Sequence, residues 1–288
     1  MADQRKQLGI FSNTFRQPTI EGVMDAVKGH GLEKIEFNFS CIDMLKVPGT
    51  DTLPSEEKVD ESIIKRIRTA TEERSIEMVS IAGYFNMIHP DVETRKNGVK
   101  QLGILMKSAR ELDINLVTLC TGSRDPEQMW RKHPSNTEKD AYEDILVSMG
   151  EALELAEEND MTLAFEPEVN LVIDSPRKTR RFLDDIKSPR LKVIFDSANI
   201  FPFGGFERMT EIMTESVEML ADDIVLVHAK DVTAENEAGD VCAGKGRLDY
   251  DLYMKLLRKI NFKGPILFHS LTEDEVDGCI EHVTKYMN

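Results

Sequence analysis

Short apolar runs that stop abruptly at polar or charged residues recur along the chain, separated by stretches whose apolar residues fall every three or four positions. The first pattern predicts buried strands and the second amphipathic helices. Strand-like runs fall at Leu8–Phe11, Lys34–Phe37, Glu77–Ile81, Leu116–Cys120, within Thr162–Glu168, and at Leu191–Asp196, Ile224–His228 and Pro265–His269. Helical spacing falls at Thr19–Gly29, about Ser55–Arg74, Val92–Leu112, Thr137–Asn159, from Ser175 through Phe182 to Ile186, and at Met209–Leu220, Tyr250–Ile260 and about Glu273–Tyr286. Ser55 and Ser175 stand where N-caps belong, and Pro176 follows at a first helical position. Strands alternating strictly with helices predict a parallel sheet, here a closed (β/α)8 TIM barrel forming one α/β domain over residues 1–288. An open doubly wound sheet is the competitor. It would call for a glycine-rich turn after the first strand, yet Gly9 lies inside that strand and no G-x-G-x-x-G follows.

Four consecutive strand-like runs finish in metal-capable side chains: Glu166, Asp196, His228 and His269. In a closed parallel barrel the strands' carboxyl ends meet at one rim, so four distant residues converge on one ion. Taken singly, each reads more readily as a structural or merely exposed strand-end group than as a catalytic one. Together they would need partners for all four at once inside a hydrophobic barrel, which favours a metal site. Two carboxylates with two imidazoles suit one divalent ion, with Mn2+ favoured, Co2+, Zn2+ or Fe2+ as alternatives, Mg2+ less suited and Ca2+ least.

The chain has 288 residues and a formal net charge of -16, which opposes binding to phosphate backbones and anionic membranes. Neither nucleic acid nor a membrane is an expected partner, and a homo-oligomer is left open. The four cysteines (Cys41, Cys120, Cys242, Cys279) are far apart and form no Cys-x-x-Cys pair. This usage fits a reducing compartment without disulfides. The charged start has no apolar secretory core behind it, and no spanning segment occurs, so a cytoplasmic location is expected.

The set E-P-E, F-D-S-A-N, H-A-K-D and A-G-K-G-R-L-D-Y, with the last strand run, resembles the xylose isomerase-like barrel superfamily of sugar phosphate isomerases and epimerases over nearly the whole chain. The resemblance implies one divalent ion held at the ends of strands five to eight, with glutamates of strands five and eight exchanging the substrate proton. Glu166, Asp196 and His228 match the first three positions, while His269 stands where that family usually has Glu. The implied enzyme is a metal-dependent isomerase or epimerase of a small ketose or keto-sugar working through an enediolate, with Glu166 and His269 catalytic. A lyase expelling a leaving group from the same enolate is the main alternative, and the His269 departure adds to its weight. An endonuclease of the superfamily and an idle sugar-binding barrel are further rivals; six histidines and the acidic balance argue against the nuclease.

Around the rim, Asn13, Asn86, His89, Arg124, Trp130, His133, Glu168, Asn199 and Lys230 are candidate substrate contacts. Arg124, Trp130 and His133 together read as a sugar clamp, an indole stacking on a pyranose face while charged groups bond hydroxyls. Loop capping is the plainer role for each, and Lys230 with Asp231 equally suggests a rim ion pair.

Overall fold

The computed structural model describes residues 5–41 and 59–287. Its barrel strands are β1 (Leu8–Phe11), β2 (Lys34–Phe37), β3 (Glu77–Ala82), β4 (Leu116–Cys120), β5 (Thr162–Glu166), β6 (Leu191–Phe195), β7 (Ile224–Asp231) and β8 (Ile266–Phe268). Each pairs in parallel with its sequence neighbour, and the β8–β1 pairing closes the ring. The helices are α1 (Ile20–Gly29), α2 (Glu61–Glu73), α3 (Val92–Glu111), α4 (Lys139–Glu158), α5 (Pro176–Ile186), α6 (Met209–Leu220), α7 (Tyr250–Lys259) and α8 (Val276–Thr284). This is a closed eight-stranded parallel TIM barrel in one domain, as the alternation predicts. Among the described residues no helix is long and apolar enough to cross a membrane.

Most element bounds agree with the sequence pattern to within a residue or two. The expected Ser55 cap lies outside the described residues, and α2 is capped by Asp60, whose carboxylate accepts from Ser62 N. Ser175 does occupy the N-cap of α5, but its hydroxyl makes no capping bond. The helix expected from Thr137 starts at Lys139, because residues 134–137 wind into a tighter 3-10 turn.

Side chains alternate across each strand, so one set faces the helices and the other the barrel axis. The outward set, including Leu163, Phe165, Val193, Phe195, Val227 and Phe268, packs in the main core with Ile145, Phe182, Met213 and Tyr253 of the surrounding helices. The inward set forms its own cluster of Ala164, Ile194, Leu226 and Leu267. Gly9 belongs to the inward face because nothing larger fits: an added Cβ would lie 2.6 Å from Leu267 Cδ2 and 2.6 Å from the Lys34 carbonyl oxygen. Two residues beyond that plug, with the same inward parity, come Glu166, Asp196, His228 and His269. An apolar floor thus seals the barrel directly beneath a charged layer.

β7 runs three residues past the expected His228 because a two-residue strand, Val241–Cys242, pairs antiparallel with it, Cys242 opposite Lys230 and Val241 opposite Asp231. The extension holds Lys230 on the inward face. Asp231 is not its ion-pair partner: its carboxylate accepts from the backbone N–H groups of Val232 (2.9 Å), Gly244 (3.1 Å) and Leu248 (2.8 Å). The A-G-K-G-R-L-D-Y loop therefore winds around Asp231, so closely that a Cβ on Gly246 would lie 2.4 Å from Asp231 Oδ1.

Candidate metal centre and active site

Glu166, Asp196 and His228 meet at the mouth of the barrel, each offering one ligand atom, with these atoms all within 4.8 Å of one another. All three are buried. Glu166 Oε1 accepts a 2.7 Å hydrogen bond from Asn199 Nδ2 and lies 3.3 Å from His228 Nδ1. Asp196 Oδ1 caps the short turn Ser197–Asn199 by accepting from Ala198 N at 2.9 Å, which leaves Oδ2 turned to the site. Lys230 Nζ stands 3.1 Å from Asp196 Oδ2 and 3.5 Å from Glu166 Oε1. The Lys230 ammonium thus neutralises part of the charge of both carboxylates.

The other face of His228 is fixed by a residue the sequence reading passed over. Glu36, fully buried on β2, places Oε2 3.0 Å from His228 Nε2, while its Oε1 accepts from Tyr84 Oη (2.7 Å) and Thr118 Oγ1 (2.5 Å). With Glu36 ionised, Nε2 carries a proton towards it, so that a metal arriving at Nδ1, the nitrogen that faces Glu166, would displace only the second ring proton. A carboxylate behind a ligating histidine orients the ring and raises its basicity. The signal was present in K-I-E-F, an acid inside an apolar run at an inward-facing position.

Burial and opposed charges set the protonation pattern. Burial would raise Glu166, but Lys230 and His228 outweigh it and hold the carboxyl well below the usual range. For Glu36, burial is likewise outweighed by the His228 hydrogen bond, and the carboxyl stays below its ordinary value. Burial opposes a charged His228, yet Glu166 and Glu36 push it up to about 10 without a metal. Burial and the neighbouring carboxylates Glu166 and Asp196 push Glu168 up to about 8 despite Lys230. His269 goes the other way: burial, with the charges of His228 and Lys230, pulls it down to about 3, so its imidazole is neutral.

His269 is not among the three convergent ligands. Its ring stacks on Phe11 at 4.5 Å, lies 4.9 Å from the His228 ring, and accepts a 3.0 Å hydrogen bond from Ser270 N at Nδ1. Asn199 sits in the site and bridges it to the β7 loop, its Oδ1 accepting from Gly239 N at 2.8 Å. Asn13, just past β1, donates to Ser40 Oγ at 2.7 Å and leaves a buried Oδ1 unpartnered.

Four other rim candidates brace loops. Asn86 donates to the Ser123 and Asp125 carbonyls (2.8 and 3.3 Å) and accepts from Ser123 N (3.0 Å). His89 links the Pro126 carbonyl (3.1 Å) to Asp91 N (3.0 Å), and His133 Nδ1 accepts from Ser135 N (3.2 Å). Arg124 is buried, pairs with Asp144 at 2.7 Å and donates to the Ile88 carbonyl at 3.0 Å. Of the expected clamp of Arg124, Trp130 and His133, Arg124 and His133 thus have polar atoms engaged by loop backbone. Trp130 keeps its link to the site. Its indole packs edge-on against Tyr84 (5.5 Å), in a small apolar cluster with Leu171, Met129 and Phe11.

Buried polar atoms that make no directed hydrogen bond are rare, because each has given up its solvation. Among the described residues they include His228 Nδ1, Asp196 Oδ2 and Glu168 Oε1. Those atoms of His228 and Asp196, with Glu166, make a mixed nitrogen and oxygen donor set of the kind that a divalent first-row ion takes. The residues present fit such an ion.

The family described as xylose isomerase-like TIM barrel matches residues 24–281. The chain belongs to this family. No curated protein matches it. Several solved structures resemble it over nearly their whole length. One is a 3-keto-D-glucoside 4-epimerase from E. coli, with 14% identity, 97% of this chain and 99% of that chain covered, and a TM-score of 0.73. A D-tagatose 3-epimerase-like protein gives 17% identity, 98% and 97% coverage and a TM-score of 0.74. The probable 3-DHS dehydratase AsbF from Bacillus anthracis gives 15% identity, 96% and 98% coverage and a TM-score of 0.73. At such identities the likeness speaks for the barrel alone, while the family membership rests on the sequence match.

Proposed function

We propose that the chain is a divalent-metal-dependent isomerase or epimerase of a small ketose or keto-sugar, with one ion, Mn2+ favoured, held by Glu166, Asp196 and His228. The carrying observation is the convergence of those three buried ligand atoms within 4.8 Å, on a cluster of opposed buried charges completed by Lys230. An ion bound there supplies a Lewis acid that polarises a substrate carbonyl and acidifies the proton on the neighbouring carbon. Glu166, kept ionised by its surroundings, is the acceptor for that proton. His269, neutral and stacked on Phe11, is the second proton carrier, in the place where the family usually has Glu. Asn13, Glu168, Asn199 and Lys230 face the substrate, Trp130 roofs it, and Asn86, His89, Arg124 and His133 hold the roof's loops. The test is incubation of the Mn2+-loaded protein with a panel of ketoses and keto-sugars in D2O, read by NMR. Deuterium entering a carbon next to the carbonyl with the formula retained is the expected result; no exchange on any member would sink the reading.

A dehydratase or other lyase is the second reading, favoured by one observation: the end of β8 carries an imidazole, not a second carboxylate to return the proton. A solved barrel of similar fold is named a probable dehydratase, which supports this reading. Loss of water or of an aglycone in the same NMR panel identifies it.

Three expectations arise at once. Asp196→Ala and His228→Ala should each abolish the single bound ion, because each removes one of three ligands; metal analysis finding one ion per chain in both would end the assignment. Saturating sugar should change the fluorescence of Trp130, the only tryptophan. An unchanged spectrum would move that loop away from the substrate. His269→Ala should keep the metal, since His269 lies outside the convergent triad, while lowering turnover by about a hundredfold, the usual scale for a lost proton carrier. Near-normal turnover in the folded variant would leave His269 a packing residue.

A further inference from the structure

We infer that Lys230 is a resident cation built into this site, which a divalent ion must push aside, and that the buried side chain of Glu168 receives its displaced ammonium. The inference rests on the metal reading above and concerns how the chain balances the site's charge with and without the ion.

Four carboxylates are buried in the barrel mouth: Glu36, Glu166, Glu168 and Asp196. Glu36 is satisfied by Tyr84, Thr118 and His228. Of the other three, Asp196 and Glu166 lie against one buried lysine, and Glu168 feels its charge. Lys230 Nζ lies 3.1 Å from Asp196 Oδ2 and 3.5 Å from Glu166 Oε1, so it sits against two of the three atoms that converge on the metal position. A divalent ion draws such ligand oxygens in to about 2.0–2.2 Å, much closer than an ammonium does, and repels a positive charge only a few ångströms away. Both cannot share the two carboxylates.

The backbone of Lys230 cannot yield. It is paired with Cys242, and its carbonyl accepts from Tyr250 Oη at 2.6 Å. Only the flexible four-carbon stem can move, and it carries a compact ammonium with three donors. One acceptor stands ready. Glu168 Oε1 is buried with no hydrogen-bond partner, although the backbone around it is well tied, Glu168 N donating to the Ile173 carbonyl at 3.1 Å. A loop-capping glutamate would spend that oxygen on a nearby N–H. Lys230 stays an ammonium throughout; only its partner changes. The lysine therefore compensates the carboxylates when no ion is bound, and weakens metal binding by the work of moving it.

The probe is Mn2+ alone, titrated calorimetrically into the wild-type chain, Lys230→Met and Lys230→Gln, with the fold of each checked by circular dichroism. Both variants are expected to bind Mn2+ about tenfold or more tightly than the wild type, the size a removed like charge at this range gives. Crystals of the wild type soaked in Mn2+ should show Nζ withdrawn from Asp196 Oδ2 and bonded to Glu168; this measurement decides the matter if the variants do not fold. Binding by the variants but not the wild type also supports displacement. Equal or weaker binding by folded variants, or a soaked wild type with Nζ still on Asp196, overturns the inference and leaves the metal reading standing. Absence of Mn2+ binding in wild type and variants alike removes the metal reading, and the inference with it.

Discussion

Glu166→Gln is expected to lower the turnover of the metal-loaded protein by at least about a thousandfold, because one substitution removes a ligand charge and the proposed proton acceptor together. The amide keeps the shape of the side chain, and its oxygen can still accept from Asn199 Nδ2, now at 2.7 Å from Glu166 Oε1. What it cannot do is take a proton or oppose Lys230 and His228, which lie 3.5 and 3.3 Å away. Those two charges hold the Glu166 carboxyl below its ordinary range, so its ionised form is favoured by folding at neutral pH. The metal-free variant should therefore also lose about 1–3 kcal/mol of stability, the scale of a lost charge-assisted contact. Single-turnover rates on each folded variant, with denaturant titrations beside them, check both parts. A variant turning over at near-wild-type rate would show that another group takes the proton.

Glu36→Ala is expected to have the largest effect on stability, about 3–5 kcal/mol, because it strands buried partners on three other strands or loops. Tyr84 Oη and Thr118 Oγ1 lose their acceptor, and His228 loses the carboxylate behind Nε2. Metal affinity should fall about 10–100-fold, the usual cost of removing the group that orients a ligating histidine. Glu36→Gln separates the two effects. Its amide oxygen can still accept from Tyr84 and Thr118, so less stability is lost, but its NH2 then faces His228 Nε2. That imidazole must accept there and carry its proton on Nδ1, the nitrogen a metal needs free. Glu36→Gln should thus lose Mn2+ affinity at least as severely as Glu36→Ala while unfolding at higher denaturant. Wild-type Mn2+ affinity in the glutamine variant would dismiss the tautomer argument.

How far the site was legible from the chain follows from the period of a strand. Alternation places every second residue on the barrel axis, so an acid or histidine at the end of an apolar run declares both its face and its end of the barrel. Glu166, Asp196 and His228 satisfy that rule and converge. His269 satisfies it too, yet it lies outside the convergent triad. Parity settles which way a side chain faces, whereas its distance from an ion depends on register and neighbours. Here Phe11 stacks on the ring and Ser270 N ties down Nδ1. Glu36 obeys the same parity and was passed over because Phe37 follows it, so its run does not end in the charge.

The chain by itself determined the eight barrel strands and eight helices of the described residues, the closed barrel and the inward-facing strand ends, because these depend on local periodicity and on the one way alternating units close; which of the four strand-end residues converge it did not decide. Three things were decided only in three dimensions. The partner of His228 lies 192 residues away in sequence, across the barrel, and no local pattern links the two. Lys230 is held inward by an antiparallel pairing with Cys242 that no run of residues foretells. The loop residues Asn86, His89, Arg124 and His133 have the chemistry of substrate contacts. Where their polar atoms point was settled by which backbone groups of neighbouring loops were left needing a partner, and that demand arises only once the loops have folded over the barrel.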